Sequence, residues 1–340
     1  MLPTWVTIPA RQTQRDTVLP VLTLFLGLAL LVGGGALLVR GASEIAESFG
    51  ISPMVIGLTV VAFGTSMPEL VVNALGALNG QTDLAFGNVV GSNISNLALV
   101  LGAAAVIAPI TIQGELVKHE IPLLLLATTV MTVMALDTVL DGYSPLIGRA
   151  DAVILILLFC IFLYSTAVDF VQLQRKDAIL ADVGDYPLVS SERASRLRWL
   201  MIIGGCALLY LGGSLTVDGA VELASGLGVS ATIIGLFVVA VGTSLPELVT
   251  SIIAAVRKES DLALGNVVGS NLFNSLFVLP VGALLRPIPV PQGGIFDLAV
   301  SWLLVVLLIP IFIFGNARLG RGAGAILLLM YVSYALLRMT

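Results

Sequence analysis

Charged residues are scarce in this sequence. Asp, Glu, Lys and Arg make up 11% of the 340 residues, whereas apolar residues make up 58%. A soluble domain carries about 25% charged residues, and it needs them because its surface faces water. The composition therefore excludes an ordinary soluble protein and predicts that most of the chain faces a lipid bilayer.

Histidine and cysteine are almost missing. His119 is the single histidine, expected in the loop after the third apolar segment, and Cys160 and Cys206 both lie in apolar runs. We therefore do not expect a Cys/His metal site or a disulfide framework. No nucleophile–base set or phosphate loop is present, so we expect neither an enzyme nor a cofactor. The few basic residues fall at helix ends, which argues against nucleic-acid binding, and nothing indicates an obligatory protein partner.

Long apolar runs dominate what remains. A membrane-spanning helix needs about 20 apolar residues, and this criterion predicts ten spanning segments in an all-α polytopic membrane protein. The predicted segments are 18–40, 51–78, 84–108, 120–138, 150–170, 198–217, 231–256, 262–285, 296–315 and 321–338.

An internal repeat organises these segments. A shift of 178 residues aligns Ile51–Leu101 with Val229–Leu279 without a gap, and more than half of the aligned positions are identical. The sequence thus divides into a first five-helix repeat (17–171), a linker (172–198) and a second repeat (199–338). Because five is odd, the second repeat must enter the membrane from the opposite side, as in many secondary transporters.

The basic residues predict the orientation. With both termini outside, 11 of the 16 Lys and Arg residues fall on the cytoplasmic side and 5 on the outer side. Cytoplasmic loops carry the excess of positive charge. We therefore expect N-out and C-out, with the linker 172–198 in the cytoplasm.

Each repeat carries a glutamate within an apolar segment. Glu69 and Glu247 each follow a proline, in the motifs Gly64-Thr65-Ser66-Met67-Pro68-Glu69-Leu70 and Gly242-Thr243-Ser244-Leu245-Pro246-Glu247-Leu248. A carboxylate at the bilayer centre costs at least about 2.5–3.5 kcal/mol, and a bound cation compensates for it most simply. Proline removes a donor from the helix, which frees carbonyl oxygens that can act as ligands.

A second duplicated motif follows each glutamate. It reads Gly-Asn-Val-Val-Gly-Ser-Asn-x-x-Asn and begins at Gly87 in segment 84–108 and at Gly265 in segment 262–285. Ser92 and Asn96 are four residues apart and share a helix face, as do Ser270 and Asn274, so we interpret these four as cation ligands. Asn88 and Asn93 are also explained by hydrogen bonding between helices.

The chemistry of the predicted ligands limits which cations the site can bind. Carboxylate, hydroxyl, amide and carbonyl oxygens suit Ca²⁺, Na⁺ or Mg²⁺ rather than Zn²⁺ or Cu⁺. Ca²⁺ accepts six to eight oxygens in loose geometry. Two carboxylates can neutralise one Ca²⁺ or help to bind several Na⁺. Because both ions use the same carboxylates, binding of one excludes the other.

The paired motifs resemble those of the calcium/cation antiporter superfamily, in particular the prokaryotic sodium/calcium exchangers, over the whole chain. The resemblance implies that Glu69 and Glu247 bind both ions, that the carbonyls of Thr65 and Thr243 complete the Ca²⁺ site, and that Asn96 and Asn274 line its centre. Two flanking Na⁺ sites would use Ser66, Ser92 and the carbonyl of Ala62, and Ser244, Ser270 and the carbonyl of Ala240. It also implies a multi-pass protein of the prokaryotic inner membrane, whose first and sixth segments slide across the other eight.

One position departs from the family pattern. Some members carry Asp where this chain has Asn274, so the central site has two carboxylates rather than three. Electrogenic Na⁺/Ca²⁺ exchange by alternating access is the leading hypothesis, H⁺/Ca²⁺ antiport through the same glutamates is the alternative, and a passive cation channel is a remote third. The transported ions are accordingly Ca²⁺ and Na⁺, with H⁺ in the alternative.

Overall fold

The computed structural model describes residues 18–111, 114–136, 144–181, 192–226, 240–314 and 318–339. Nearly all of these residues are helical, which confirms the predicted all-α polytopic class. The helices are α1 Val18–Phe49, α2 Pro53–Thr65, α3 Met67–Leu78, α4 Thr82–Ile107, α5 Gly114–Met134, α6 Arg149–Ala181, α7 Glu192–Gly226, α8 Ala240–Thr243, α9 Leu245–Val256, α10 Ser260–Leu285, α11 Gly294–Phe314 and α12 Arg321–Met339.

Seven of the described helices are long and apolar enough to cross a membrane: α1, α4, α6, α7, α10, α11 and α12. The consecutive helices α2 and α3 form one further span that bends by 47° at its break. Shorter apolar helices occur at Glu120–Met134 and Leu245–Val256, where the fourth predicted segment and the end of the seventh lie. The start of the seventh segment, 231–239, lies outside the described residues.

Several helices extend past the apolar segments that predicted them. α1 continues to Phe49, α6 continues to Ala181 and α7 begins at Glu192, so both ends of the predicted linker are helical. The prediction for His119 was wrong, because this residue lies within α5 rather than in a loop. Hydropathy detects only the lipid-embedded part of a helix, whereas backbone hydrogen bonding continues through polar residues at the membrane surface.

Two short antiparallel ribbons join the repeats. Strand β1 (Ile110–Thr111) pairs with β4 (Arg318–Leu319), and β2 (Leu146–Ile147) pairs with β3 (Ile288–Pro289). Ile110 and Ile288 are separated by the repeat shift of 178 residues, so β1 and β3 occupy equivalent positions. Each repeat therefore supplies the same strand to a ribbon with the other repeat.

The helices α1 and α7 pack against each other in opposite directions. A Cβ atom at Gly34 would lie 2.9 Å from the carbonyl oxygen of Gly205, and one at Gly27 would lie 2.8 Å from that of Gly212. Small residues allow helix backbones to approach this closely in membranes. Since α1 and α7 are equivalent helices of the two repeats, their antiparallel packing is what an inverted repeat requires.

Gly35 and Gly213, which directly follow Gly34 and Gly212, face a different helix. A Cβ at Gly35 would lie 2.9 Å from Ile253 and 3.1 Å from Val249 on α9, and one at Gly213 would lie 3.9 Å from Pro246. Adjacent glycines therefore allow close packing at two surfaces. One lies between α1 and α7, and the other lies between this pair and the broken helix α8–α9.

The distribution of polarity is that of a protein in lipid. Large apolar side chains such as Leu19, Phe25 and Leu329 are more than 60% exposed, whereas many hydroxyl, amide and carboxyl side chains are fully buried. These buried polar groups are concentrated in the motif helices α2–α4 and α8–α10. The fold thus surrounds a polar centre with an apolar exterior.

Candidate cation site

Both repeats break their motif helix at the same serine. Ser66 separates α2 from α3 with φ −89° and ψ 8°, and Ser244 separates α8 from α9 with φ −88° and ψ 6°. This sparsely populated region of φ/ψ space is one where many active-site residues lie. The agreement within a few degrees shows that the duplicated sequence produces a duplicated backbone conformation.

The motif residues explain the break. Pro68 and Pro246 cannot donate to the carbonyls of Gly64 and Gly242, four residues earlier, so the regular helical ladder cannot pass through them. The two glycines also permit close packing, because a Cβ at Gly64 would collide with Cys206 and one at Gly242 with Val217. Both contacts lie on α7, so this helix packs directly against the two breaks.

The two glutamates are fully buried in the first turns of the helices that follow the breaks. Glu69 in α3 and Glu247 in α9 are each 0% exposed, and the positive end of a helix dipole favours a carboxylate there. The salt bridges of the described residues join Glu44 to Arg40 and Arg198, and Asp297 to Arg338; none reaches these glutamates. A buried carboxylate without a basic partner is costly, so the site favours a cation.

Hydrogen bonds bring the two repeats together at this point. The Ser66 hydroxyl donates to Glu247 Oε1 across the repeat boundary at 3.0 Å, and the Ser92 hydroxyl lies 3.5 Å from Glu69 Oε1. Thr65 Oγ1 lies 3.5 Å from Ser270 Oγ. Thr65 and Ser66 are therefore linked across the repeat boundary to Ser270 and Glu247, and Ser92 contacts Glu69 in the turn that follows Ser66.

Asn96 and Asn274 occupy equivalent π-helical stretches of α4 and α10. These stretches are Ser95–Val100 and Asn274–Val278, and π-helical turns are frequent at functional sites. Both asparagines are buried, and Asn96 Nδ2 lies 3.5 Å from Asn271 Oδ1 in the other repeat. The two helices of the second motif thus cross beside the glutamates.

Several buried oxygens in this region have no hydrogen-bond donor among the described residues. They are Glu69 Oε2, Glu247 Oε2, Asn96 Oδ1, Asn274 Oδ1 and Ser244 Oγ. Buried polar atoms are almost always paired, and these oxygens come from the side-chain types that bind hard cations. The described residues contain no cluster of three or more His, Cys, Asp or Glu.

The resemblance also implies backbone carbonyls as ligands, and one of them already accepts a hydrogen bond within its helix. The Ala62 carbonyl accepts the Ser66 N–H at 3.0 Å and lies 3.3 Å from the Thr65 hydroxyl. The single proton of this hydroxyl faces the nearer Asn266 Oδ1 at 3.1 Å, so one lone pair of the Ala62 carbonyl remains for an ion. Its equivalent Ala240 begins α8, and the half-buried Thr243 ends it. The carbonyls of Thr65 and Thr243 directly precede the breaks.

Hydrogen bonding between helices, the alternative explanation for Asn88 and Asn93, is confirmed, and Asn266 forms a similar contact. Asn93 Nδ2 donates to Ser275 Oγ at 2.8 Å, and Asn88 and Asn266 each contact the backbone carbonyl of the glutamate in their own repeat, at 3.3 and 3.4 Å. The recurrence of these asparagines in both motifs was the available signal, but it could not tell which oxygen each amide would reach.

The chain is similar to known sodium/calcium exchangers along most of its length. The family profile described as "Sodium/calcium exchanger protein" matches residues 19–168 and 197–340. The sodium/calcium exchanger MaX1 of Methanosarcina acetivorans is 30% identical over 339 residues, covering 92% of this chain and 96% of its own length. The inner membrane protein YrbG of Escherichia coli is 35% identical over 314 residues, covering 89% and 92%.

A solved structure is similar along nearly the whole chain. The sodium-calcium exchanger NCX_Mj soaked with zero Na⁺ and Ca²⁺ superposes with a TM-score of 0.80 at 31% identity, covering 95% of this chain and 100% of that one. Together with the family profile and the duplicated, proline-broken helices, this similarity shows that the chain belongs to the sodium/calcium exchanger family, whose members are multi-pass membrane antiporters of Ca²⁺ and other cations.

Proposed function

We propose that this protein is an electrogenic Na⁺/Ca²⁺ exchanger that extrudes Ca²⁺ across a prokaryotic inner membrane, with ten spanning helices and both termini outside. The main support is that Glu69 and Glu247, from opposite repeats, are both fully buried without a basic partner among the described residues, and that Glu247 bonds to Ser66 at the helix break of the other repeat. Two carboxylates balance the charge of one Ca²⁺.

The ligand roles follow from the positions of the oxygens. In the Ca²⁺-loaded state, Glu69 and Glu247 bind the ion from both sides, the carbonyls of Thr65 and Thr243 complete its shell, and Asn96 and Asn274 line the centre. In the Na⁺-loaded state, Ser66 with Ser92 and Ser244 with Ser270 add hydroxyl ligands beside the same carboxylates. The Ala62 carbonyl is the weakest of the proposed Na⁺ ligands, because it already accepts a hydrogen bond from the Ser66 N–H.

Exchange follows from this shared use. Because both ions need the same two carboxylates, Ca²⁺ leaves when Na⁺ enters the site, and the protein changes its side of access only when the carboxylates are neutralised. An empty, doubly charged site at the membrane centre is costly, which suppresses a return without cargo. Transport of more Na⁺ charge inward than Ca²⁺ charge outward makes the cycle electrogenic.

A second candidate is H⁺/Ca²⁺ antiport through the same glutamates. It is favoured by Asn274, since a neutral amide leaves only two carboxylates to hold the counter-ions, and protons can neutralise both. The two candidates share the Ca²⁺ site and differ only in what replaces Ca²⁺.

Ion flux in reconstituted vesicles separates these candidates. Proteoliposomes loaded with Na⁺ and diluted into Na⁺-free buffer should take up radioactive Ca²⁺, and a pH gradient without Na⁺ should not drive uptake. Because net positive charge leaves the vesicle with Na⁺, the interior becomes negative, and uptake should also increase when this inside-negative potential is removed. Uptake driven by the pH gradient alone would replace Na⁺ with H⁺, and Ca²⁺ flux without any counter-ion would indicate a channel.

A further inference from the structure

We propose that Asn266 is a positioning residue that links the two broken helices at the cation site, so that the Thr65 side of one repeat and the Glu247 side of the other bind an ion as one unit. Asn266 lies on α10 and is fully buried. The inference rests on the proposed cation site, but it concerns a residue that is not among the proposed ligands.

The hydrogen bonds of Asn266 reach both repeats. Its Nδ2 lies 2.9 Å from Ser251 Oγ and 3.4 Å from the carbonyl oxygen of Glu247, both on α9. Its Oδ1 lies 3.1 Å from Thr65 Oγ1, at the end of α2. One amide therefore contacts the residue before the first break and the glutamate after the second.

The chemistry of these partners fixes the orientation of the amide. A backbone carbonyl can only accept a hydrogen bond, so the N–H₂ group must face Glu247. Oδ1 then faces Thr65, and the Thr65 hydroxyl must act as the donor. With this hydroxyl held, the backbone at Thr65, whose carbonyl directly precedes the break at Ser66, is fixed relative to Glu247.

The equivalent contact recurs in the first repeat. Asn88 Nδ2 lies 3.3 Å from the carbonyl oxygen of Glu69, and the residue separation of 19 is the same as that between Glu247 and Asn266. A contact formed twice by a duplicated sequence indicates that holding the glutamate backbone is a property of the motif. In addition, Asn266 contacts Thr65, so in the second repeat the asparagine also connects the glutamate backbone to the other repeat.

A buried asparagine can also serve only to hold helices together, and Asn73 is a suitable control for that role. Asn73 is 0% exposed, and its Nδ2 donates to the Ala85 carbonyl at 3.1 Å within the first repeat. It resembles Asn266 in burial and in bonding a backbone carbonyl of a neighbouring helix, but it contacts neither Thr65 nor Glu247 in the described structure. A purely structural role predicts similar effects for Asn73→Ala and Asn266→Ala.

The test is equilibrium binding of radioactive Ca²⁺ to the purified full-length protein, with Na⁺ as competitor, alongside thermal unfolding. We expect Asn266→Ala to raise the Ca²⁺ concentration for half-saturation at least fivefold, and Asn73→Ala to lower the unfolding midpoint without changing that concentration. Thr65→Val removes the hydroxyl from the other end of the link and should weaken Ca²⁺ binding to a similar extent. The double variant Thr65→Val/Asn266→Ala should then bind no more weakly than Asn266→Ala alone, because both substitutions break the same link.

Thr65→Val keeps the proposal testable if Asn266→Ala fails to fold. Unchanged Ca²⁺ affinity in Thr65→Val would overturn the proposal, as would additive losses in the double variant or an equal loss of affinity in Asn73→Ala. Because binding is measured without a gradient, a failure of Na⁺-driven flux in the wild-type protein would contradict the proposed function without altering this test.

Discussion

Ser66 and Glu247 belong to different repeats and are joined by a hydrogen bond of 3.0 Å between the serine hydroxyl and Oε1 of the glutamate. Both residues are fully buried. Each lies at a helix break, so the bond connects the bend of the first broken helix with the carboxylate that follows the bend of the second. Alignment of this carboxylate depends on a residue of the opposite repeat.

We expect Ser66→Ala to weaken binding of both Ca²⁺ and Na⁺ by about tenfold, because a hydrogen bond to a charged group contributes about 1.5–3 kcal/mol. Titration of each ion against the purified protein measures the effect. Ser48→Ala is the control, since the Ser48 hydroxyl bonds only to the Ile45 carbonyl within α1 among the described contacts. A change in Na⁺ affinity alone would show that Ser66 is a Na⁺ ligand that does not orient Glu247.

Asn274→Asp should change ion selectivity more than folding. The Asn274 side chain is 0% exposed, and neither of its amide atoms has a hydrogen-bond partner among the described residues. A third carboxylate favours a divalent over a monovalent cation by simple charge balance. We therefore expect tighter Ca²⁺ binding, weaker competition by Na⁺ and a stronger dependence of binding on pH.

Competition curves at several pH values provide the measurement for this variant. Thr216→Asp is the control, because it also introduces a buried carboxylate, but at the packing surface between α1 and α7, where the Thr216 hydroxyl bonds to the Gly212 carbonyl and faces Gly27. It should destabilise the protein and leave the competition curves unchanged. Identical Na⁺ and pH profiles for Asn274→Asp and wild type would place residue 274 away from the ions.

Lys258→Gly should stabilise the protein. Lys258 has φ 66°, and its equivalent in the first repeat is Gly80 with φ 77°. The left-handed conformation is unfavourable for a residue with a side chain and is freely adopted by glycine, so the free energy of unfolding should rise by about 0.5–1 kcal/mol. Thermal unfolding in detergent measures this change. Arg257 has φ −77°, so Arg257→Gly should not raise the free energy of unfolding. An equal rise in Arg257→Gly would contradict the conformational explanation.

The proposed orientation can be tested at two equivalent turns. Asn79 and Arg257 are separated by the repeat shift, and both are exposed. With the N-terminus outside, Asn79→Cys faces the outside and Arg257→Cys the cytoplasm. In a variant without Cys160 and Cys206, a membrane-impermeant maleimide added to intact cells should label Asn79→Cys, and should label Arg257→Cys only after permeabilisation. The reverse pattern would invert the topology.

Much of this site could be predicted from the sequence, because its information is local and duplicated. Pro68 and Pro246 predicted the breaks, and the glutamates beside them predicted a buried cation site. Contacts between the repeats were not predictable in the same way. The link between Thr65 and Asn266 joins residues 201 positions apart, and only the packing of α2 against α10 determines it.

The helix boundaries were also predicted only in part from the sequence. The apolar segment 18–40 predicted a helix that the structure extends to Phe49, since a helix continues beyond the lipid where hydropathy falls. Similarly, the sequence shows that Gly34 and Gly35 are adjacent but does not show which helix each of them contacts. Gly34 packs against Gly205 on α7, whereas its neighbour Gly35 faces Ile253 on α9, because adjacent residues on a helix point about 100° apart.

The most direct test of the account is Ca²⁺ transport by Glu69→Gln and Glu247→Gln. Each substitution keeps the shape and hydrogen-bonding capacity of the side chain and removes one of the two charges that balance Ca²⁺. Glu44→Gln is the control, because Glu44 is partly exposed and paired with Arg40 on α1. In Na⁺-loaded proteoliposomes, the account predicts that both site variants lose Ca²⁺ uptake while Glu44→Gln retains it. Near-normal uptake by either Glu69→Gln or Glu247→Gln would contradict it.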